Sequence, residues 1–121
     1  MSHFNQLPAF EKEFSKLSRK YKSLPDDLHK LEEIITNPHI GPVGVGKNFV
    51  TLYQGNKIKI VKTRLACRSL RERSMRIVYA YHEDEIRFMY IEIYYKGDKE
   101  NEERERIKEY LEKNEQNTKK L

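Results

Sequence analysis

The stretch MRIVYAYHEDEIRFMYIEIYYK, residues 75–96, decides the fold of this chain. Residues 75–82 alternate between two sets of side chains, as a β-strand does, and the acidic tripeptide 83–85 then predicts a tight turn. Residues 86–96 form the most apolar run in the chain and predict a central strand. Because consecutive strands with a short link usually pair side by side, we expect an antiparallel pair here.

Further β-like segments lie upstream of this pair. Residues 49–53 and 57–65 have strand character, and Gln54-Gly55-Asn56 between them predicts a turn or bulge. Residues 3–7 predict a short first strand. The sequence therefore predicts an antiparallel sheet of three or four strands.

The segment before the glycine-rich residues 39–48 is helical in pattern. Its first apolar residues recur at steps of three and four, the spacing of an amphipathic helix: Phe10, Phe14, Leu17, Tyr21 and Leu24. Pro25-Asp26-Asp27 starts a second helix, since proline and acids are favoured in a first turn, and Asn37-Pro38 ends it. The short link between the two predicts an antiparallel helical hairpin.

The C-terminal segment predicts one more helix, roughly residues 101–114, with Asp98 or Asn101 as its cap and a frayed tail at 115–121. The whole chain, residues 1–121, is expected to be a single α+β domain. We expect an N-terminal helical hairpin packed on the sheet, a C-terminal helix, and all helices on one face. The opposite face is then expected to be solvated or to bind a ligand.

Composition limits the function classes. With 121 residues, 37% of them hydrophobic, the chain can form one modest core. Cys67 is the one cysteine, which excludes an intrachain disulfide and favours a reducing compartment. No apolar run approaches the roughly 18 residues of a membrane span, and the N-terminal residues lack the apolar core of a signal peptide, so a cytoplasmic location is expected. His3, His29 and His39 have no metal-ligand spacing, and neither a metal nor another cofactor is expected.

Positive charge is concentrated in residues 56–76, which hold eight Lys or Arg and one acid, Glu72. Strict alternation puts Lys57 and Lys59 on one side of the strand and the next basic residues on the other. A bulge near residues 60–61 would bring both sets onto one face suited to phosphate binding. The basic residues expected to contact RNA there are Lys62, Arg64, Arg68, Arg71 and Arg73.

Three segments together resemble a known family: PAFEKEFSKLSRKYKSLPDDLHKLEE (8–33), KIKIVKTR (57–64) and MRIVYAYHEDEIRFMYIEIYYKGDKENEERERI (75–107). Over roughly residues 8–111 the chain resembles the RelE/ParE superfamily, the toxins of bacterial type II toxin–antitoxin systems. The resemblance implies a small RelE/ParE-like α+β fold and a cognate antitoxin as partner. RelE-like members cut mRNA on the ribosome without a metal, whereas ParE-like members poison DNA gyrase.

Carried over to this chain, the resemblance implies site residues. Lys57 and Lys59 correspond to phosphate-binding or catalytic lysines, and Arg76 to the active-site arginine. Lys96, or less closely Lys99, corresponds to the basic residue that closes the last strand.

One part of the RelE pattern is missing. Residues 97–106, GDKENEERER, contain neither the tyrosine nor the histidine that RelE-like toxins carry in this segment. Tyr110 has the spacing of a helix-core residue, so we do not substitute it. The candidate proton-transfer residues that remain are His82, Tyr94 and Glu100.

The leading functional hypothesis is a ribosome-dependent mRNA endonuclease that inhibits translation. Its expected partners are the antitoxin, the ribosome and mRNA, with no membrane and no small-molecule cofactor. The alternatives are a ParE-like inhibitor of DNA gyrase and a non-catalytic RNA-binding domain.

Overall fold

The computed structural model describes residues 3–36, 49–70 and 75–119, and these residues form an α+β fold. The elements follow one another as β1 (His3–Gln6), α1 (Pro8–Lys20), α2 (Leu24–Ile35), β2 (Phe49–Gln54), β3 (Ile58–Leu65), β4 (Met75–His82), β5 (Arg87–Tyr95) and α3 (Arg104–Lys119). The strands form one sheet in the order β1-β5-β4-β3-β2.

The sheet is mixed and has five strands, which corrects the predicted antiparallel sheet of three or four. Strands β2 to β5 pair antiparallel with their neighbours in sequence, as expected. β1, in contrast, pairs parallel with β5, a strand that lies far from it in the sequence. β1 has few apolar residues, so its sequence did not predict the pairing with β5. In the structure, Phe4 of β1 stacks on Phe88 of β5 with ring centroids 4.7 Å apart.

The helical hairpin of α1 and α2 covers one face of the sheet, here called the hairpin face. Its core contains Phe10, Leu24 and Ile35 from the helices, packed with Ile77 and Tyr79 of β4. Burying these apolar side chains provides the main stabilisation of this layer. The predicted amphipathic stripe of the hairpin is thereby confirmed.

The opposite face is covered by α3, which corrects the expectation that all helices lie on one face. Ile107 and Tyr110 of α3 pack on the side chains that alternate with the hairpin-face residues, namely Ile58, Ile60, Val78, Ala80 and Ile91. α3 is mostly polar, so its short apolar stripe did not reveal which face it covers. We call this side of the sheet the α3 face.

Polar contacts hold the start of α3 on the sheet. Glu92 of β5 is fully buried and accepts hydrogen bonds from Lys99 Nζ at 2.5 Å and from the Glu103 backbone N–H at 2.7 Å. α3 therefore begins three residues later than predicted, with a distant carboxylate at its N-terminus in place of Asp98 or Asn101. It also continues past the predicted end at residue 114, to Lys119.

Candidate nucleic-acid interface

The strand register places Arg64 opposite Arg76 and Arg76 opposite Tyr94. Arg76 lies two residues from Val78, which packs under α3, so period-two alternation puts the three side chains on the α3 face. They form a row across β3, β4 and β5, near the start of α3. We call Arg64, Arg76 and Tyr94 the arginine row.

Two arginines directly opposite each other on paired strands suit an anion. Like charges directly opposite each other on paired strands destabilise a sheet, and a bound anion offsets this repulsion. Each planar guanidinium can offer two parallel N–H donors to a phosphate, and it stays charged at any physiological pH. Arg64 is exposed and Arg76 is half-buried, so the row opens to solvent at the β3 side.

Tyr94 closes the row at the buried side. Its side chain is 5% exposed, and its hydroxyl has no hydrogen-bond partner among the described residues. Burial and the carboxylates of Glu102 and Glu92 raise the pKa of Tyr94 to about 12, against the opposing effect of Arg76. The phenol is therefore protonated at neutral pH and can donate a hydrogen bond.

Lys62 extends the cationic surface along β3, and Glu102 orients it. Lys62 Nζ donates to the buried Glu102 carboxylate at 2.8 Å. Burial alone would raise the pKa of Glu102, but the hydrogen bond from Lys62 and the charges of Lys62 and Arg104 outweigh it and keep this pKa below its usual range. The Lys62 ammonium is thus held as a fixed charge beside the arginine row.

Lys57 and Lys59 lie apart from Arg76. The β3–β4 register runs without interruption, and the bulge near residues 60–61 lies on the partner strand β2, between Thr51 and Tyr53. Lys59 therefore stays in alternation with Val61, on the hairpin face. Six residues along a strand span about 20 Å, which separates the Lys57 end of the sheet from Arg76.

The other predicted residues lie in connections. Lys96 is exposed beyond β5 and donates to the backbone carbonyl of Glu100 at 2.8 Å, and Glu100 is exposed as well. Arg68 binds the helical hairpin through Asp27 at 3.2 Å and Asp26 at 3.5 Å. The predicted RNA contacts Arg71 and Arg73 lie outside the described residues.

The hydrogen bonds around Asp27 fix the loop after β3. Asp27 is buried and accepts from the Ser23 hydroxyl at 2.7 Å and from the Arg68 backbone N–H at 3.1 Å. Burial works to raise the pKa of Asp27, but these hydrogen bonds outweigh it and lower the pKa. Arg68 thus pairs with the helical hairpin in the structure, and its predicted contact with RNA remains a prediction.

His82 is paired with Tyr110, a residue that the sequence pattern assigned only to the core of the last helix. His82 Nε2 and the Tyr110 hydroxyl form a hydrogen bond at the end of β4 that is far from the arginine row. Burial and the nearby Arg87 lower the pKa of His82 more than Glu85 and Asp84 raise it, so the imidazole is neutral at pH 7. Tyr110 has ordinary helix-core spacing, and only the packing of α3 across the sheet brings it to His82.

Within the described part of the chain, no three His, Cys, Asp or Glu residues group as metal ligands. No helix there has the length and apolar character that a membrane crossing requires. Comparisons with protein-family models, curated proteins and solved structures found no match.

Proposed function

We propose that this protein is a RelE-like toxin of a type II toxin–antitoxin system, acting as a metal-independent endoribonuclease on ribosome-bound mRNA. The observation that carries the proposal is the arginine row, in which two arginines and a tyrosine with a buried, unpartnered hydroxyl are paired in register across three neighbouring strands. The α+β fold and the sequence resemblance support it. The antitoxin partner and the cytoplasmic location belong to the same proposal.

The proposed reaction is attack of an RNA 2′-hydroxyl on the adjacent phosphorus. The 2′-oxygen forms a bond to phosphorus and loses its proton to water, while the bond from phosphorus to the 5′-oxygen breaks. Arg64 and Arg76 stabilise the charge on the pentacovalent phosphate, and preorganised donors of this kind contribute strongly to such reactions. Once the side chains that cover its hydroxyl move aside, Tyr94 donates its proton to the leaving 5′-oxygen and regains one from water.

The surface also favours single-stranded RNA. Arg64 and Lys62 lie on β3, next to the edge strand β2, while α3 covers the centre of the face. A flexible single strand can follow the exposed margin and present one phosphate to Arg76. A rigid duplex cannot bend around α3 in this way, so an unpaired mRNA segment is the proposed substrate.

The direct test adds the purified protein to translating ribosomes and maps the 5′ ends of the mRNA. We expect new ends within codons, which disappear with Arg76→Ala. Arg19→Ala is a matched control, since Arg19 is an exposed arginine of α1 on the far side of the sheet. Intact mRNA and undisturbed protein synthesis would overturn the proposal.

A second candidate is inhibition of DNA gyrase, as in ParE-like toxins. It is favoured by the distance between Lys57 and Arg76, because the lysines that the RelE pattern assigns to the site do not join the arginine row. A supercoiling assay with purified gyrase separates the two functions. Gyrase inhibition without mRNA cleavage would favour this candidate.

A further inference from the structure

A second site lies at the far end of α3, where the chain forms a cavity of about 250 Å³. The cavity is bounded by the end of β2, the start of β3, the β4–β5 turn and the last described side chain of α3. Its lining includes Tyr53, Lys57, His82, Asp84, Arg87 and Asn114. None of them belongs to the arginine row.

The inner wall of the cavity is formed by hydrogen-bonded, uncharged side chains. His82 is 4% exposed and is fixed by its hydrogen bond to Tyr110. Asn114 Nδ2 donates to the Tyr110 carbonyl at 2.7 Å, which fixes the orientation of this amide as well. A ligand therefore meets a preformed wall of polar side chains.

The charges at the rim cancel in pairs. Arg87 Nε contacts Glu85 at 2.7 Å, and Lys57 Nζ lies 3.8 Å from Asp84. The Lys57–Asp84 pair is exposed and contributes little to stability, so these two side chains can exchange partners. Since the cavity has no net charge but offers both strong donors and strong acceptors, it suits a neutral ligand with both kinds of group.

An unpaired nucleobase has these properties. Single-stranded RNA is recognised by stacking bases on aromatic rings and by hydrogen bonds to their edges. Tyr53 supplies an aromatic wall. The volume lies below the roughly 300–1,000 Å³ of pockets for drug-sized molecules, which fits a base better than a whole nucleotide.

The donors and acceptors favour guanine. Guanine accepts hydrogen bonds at O6 and N7, which arginine and lysine recognise, and its N2 amino group donates. Arg87 or Lys57 can supply the donors, and the Asp84 carboxylate can accept from the N1 and N2 groups. Adenine, in contrast, has a donor in place of O6, and uracil and cytosine lack N7.

We propose that this cavity binds an unpaired guanine base. The assignment rests on the proposed RNA substrate and adds a base preference to it. The cavity lies about 20 Å from Arg76 along β4. The bound guanine is therefore a different nucleotide of the RNA from the one whose phosphate is cut.

The test is calorimetric titration of the full chain with GMP, AMP, CMP and UMP, and with ribose 5-phosphate as a probe for the phosphate alone. We expect GMP to bind at least about tenfold more tightly than the other three nucleotides. Ribose 5-phosphate is expected not to compete. Equal affinities, displacement by ribose 5-phosphate, or no binding of GMP would overturn the proposal.

Two substitutions localise the binding. Asp84→Asn should weaken GMP binding at least about tenfold, while Asp98→Asn, at an exposed aspartate after β5, should leave it unchanged. Tyr53→Phe should retain the affinity and Tyr53→Leu should lose most of it. Unchanged binding in Asp84→Asn, with a wild-type circular dichroism spectrum, would contradict the assignment.

The mRNA cleavage assay separates this inference from the proposed function. Selective GMP binding without mRNA cleavage would support the guanine site and contradict the proposed nuclease activity. mRNA cleavage without GMP binding would support the proposed nuclease activity and contradict the guanine site.

Discussion

Arg64 of β3 and Arg76 of β4 lie directly opposite each other on the α3 face of the sheet. Tyr94 continues the row on β5, with its hydroxyl buried and unpartnered among the described residues. A buried hydroxyl without a hydrogen-bond partner makes the folded protein less stable than an apolar side chain would at that position. A phosphate group placed against the row would lie between the two cations, and it would accept from the hydroxyl once the side chains that cover Tyr94 move aside.

Tyr94→Phe is expected to change stability and activity in opposite directions. Loss of the unpartnered buried hydroxyl should raise the free energy of unfolding by about 1 kcal/mol, since such a group carries an uncompensated desolvation cost. Loss of the proton donor should lower the cleavage rate about 100-fold. Denaturant unfolding and mRNA cleavage measure the two effects, with Tyr95→Phe as the control. Cleavage at the wild-type rate by the Tyr94→Phe variant would remove Tyr94 from the mechanism.

Glu92→Ala is expected to destabilise the protein by roughly 3 kcal/mol, because the buried carboxylate accepts two hydrogen bonds, one of them from the charged Lys99. Glu92→Gln should cost less, since the amide oxygen can still accept from the Glu103 N–H. Urea unfolding provides the measurement, and Glu100→Ala, at an exposed glutamate, should stay within about 0.5 kcal/mol of wild type. Equal stability of the Glu92→Ala and Glu100→Ala variants would show that Glu92 does not hold α3.

His82 should make the protein less stable in mild acid. Its pKa in the folded state lies below the ordinary 6.5, so as the pH falls through 6.5 the unfolded chain takes up a proton that the folded chain resists. The free energy of unfolding should therefore fall with pH below 6.5, and it should level off below the folded-state pKa. Asp27 and Glu102 have lowered pKa values, so their stabilising contributions are lost at more acidic pH, below their ordinary 3.8 and 4.5.

The control for this pH effect is His82→Gln, which cannot be protonated. Urea unfolding between about pH 7.5 and about pH 5 should give a flatter dependence for this variant than for wild type. Parallel curves for the two proteins would show that His82 is not the titrating group.

Ile86→Gly is expected to stabilise the β4–β5 turn. Ile86 has a φ of 49°, in the left-handed region, and its side chain is 63% exposed. A left-handed conformation costs a non-glycine residue roughly 1–2 kcal/mol, and glycine avoids this cost. Glycine also has more freedom in the unfolded chain, so the net gain in the free energy of unfolding should be about 0.5 kcal/mol. A loss of stability in thermal unfolding would show that Ile86 makes a compensating contact.

Much of the fold could be predicted because periodicity reports local structure. The alternation in residues 75–82 and the helical stripe from Phe10 each identified an element. The parallel pairing of β1 was missed, because it joins two strands that lie far apart in the sequence. The position of α3 was missed because few of its side chains are apolar, and it is fixed by distant partners such as Glu92.

The candidate site was harder to predict because register is not visible in one strand. The sequence separates Lys57 and Lys59 from Lys62 and Arg64 by parity, but only pairing with β4 shows which set joins Arg76. In the same way, Tyr110 has ordinary core spacing until α3 brings it to His82. Both relationships arise between elements and have no signature within either one.

The most direct test of the central claim compares two double variants in mRNA cleavage on translating ribosomes. Arg64→Ala/Arg76→Ala removes the cations of the arginine row, and Lys57→Ala/Lys59→Ala removes the same number of charges about 20 Å away. If the arginine row is the active centre, the first variant should lose cleavage and the second should retain most of it. Cleavage that survives in the arginine variant and is lost in the lysine variant would contradict the claim.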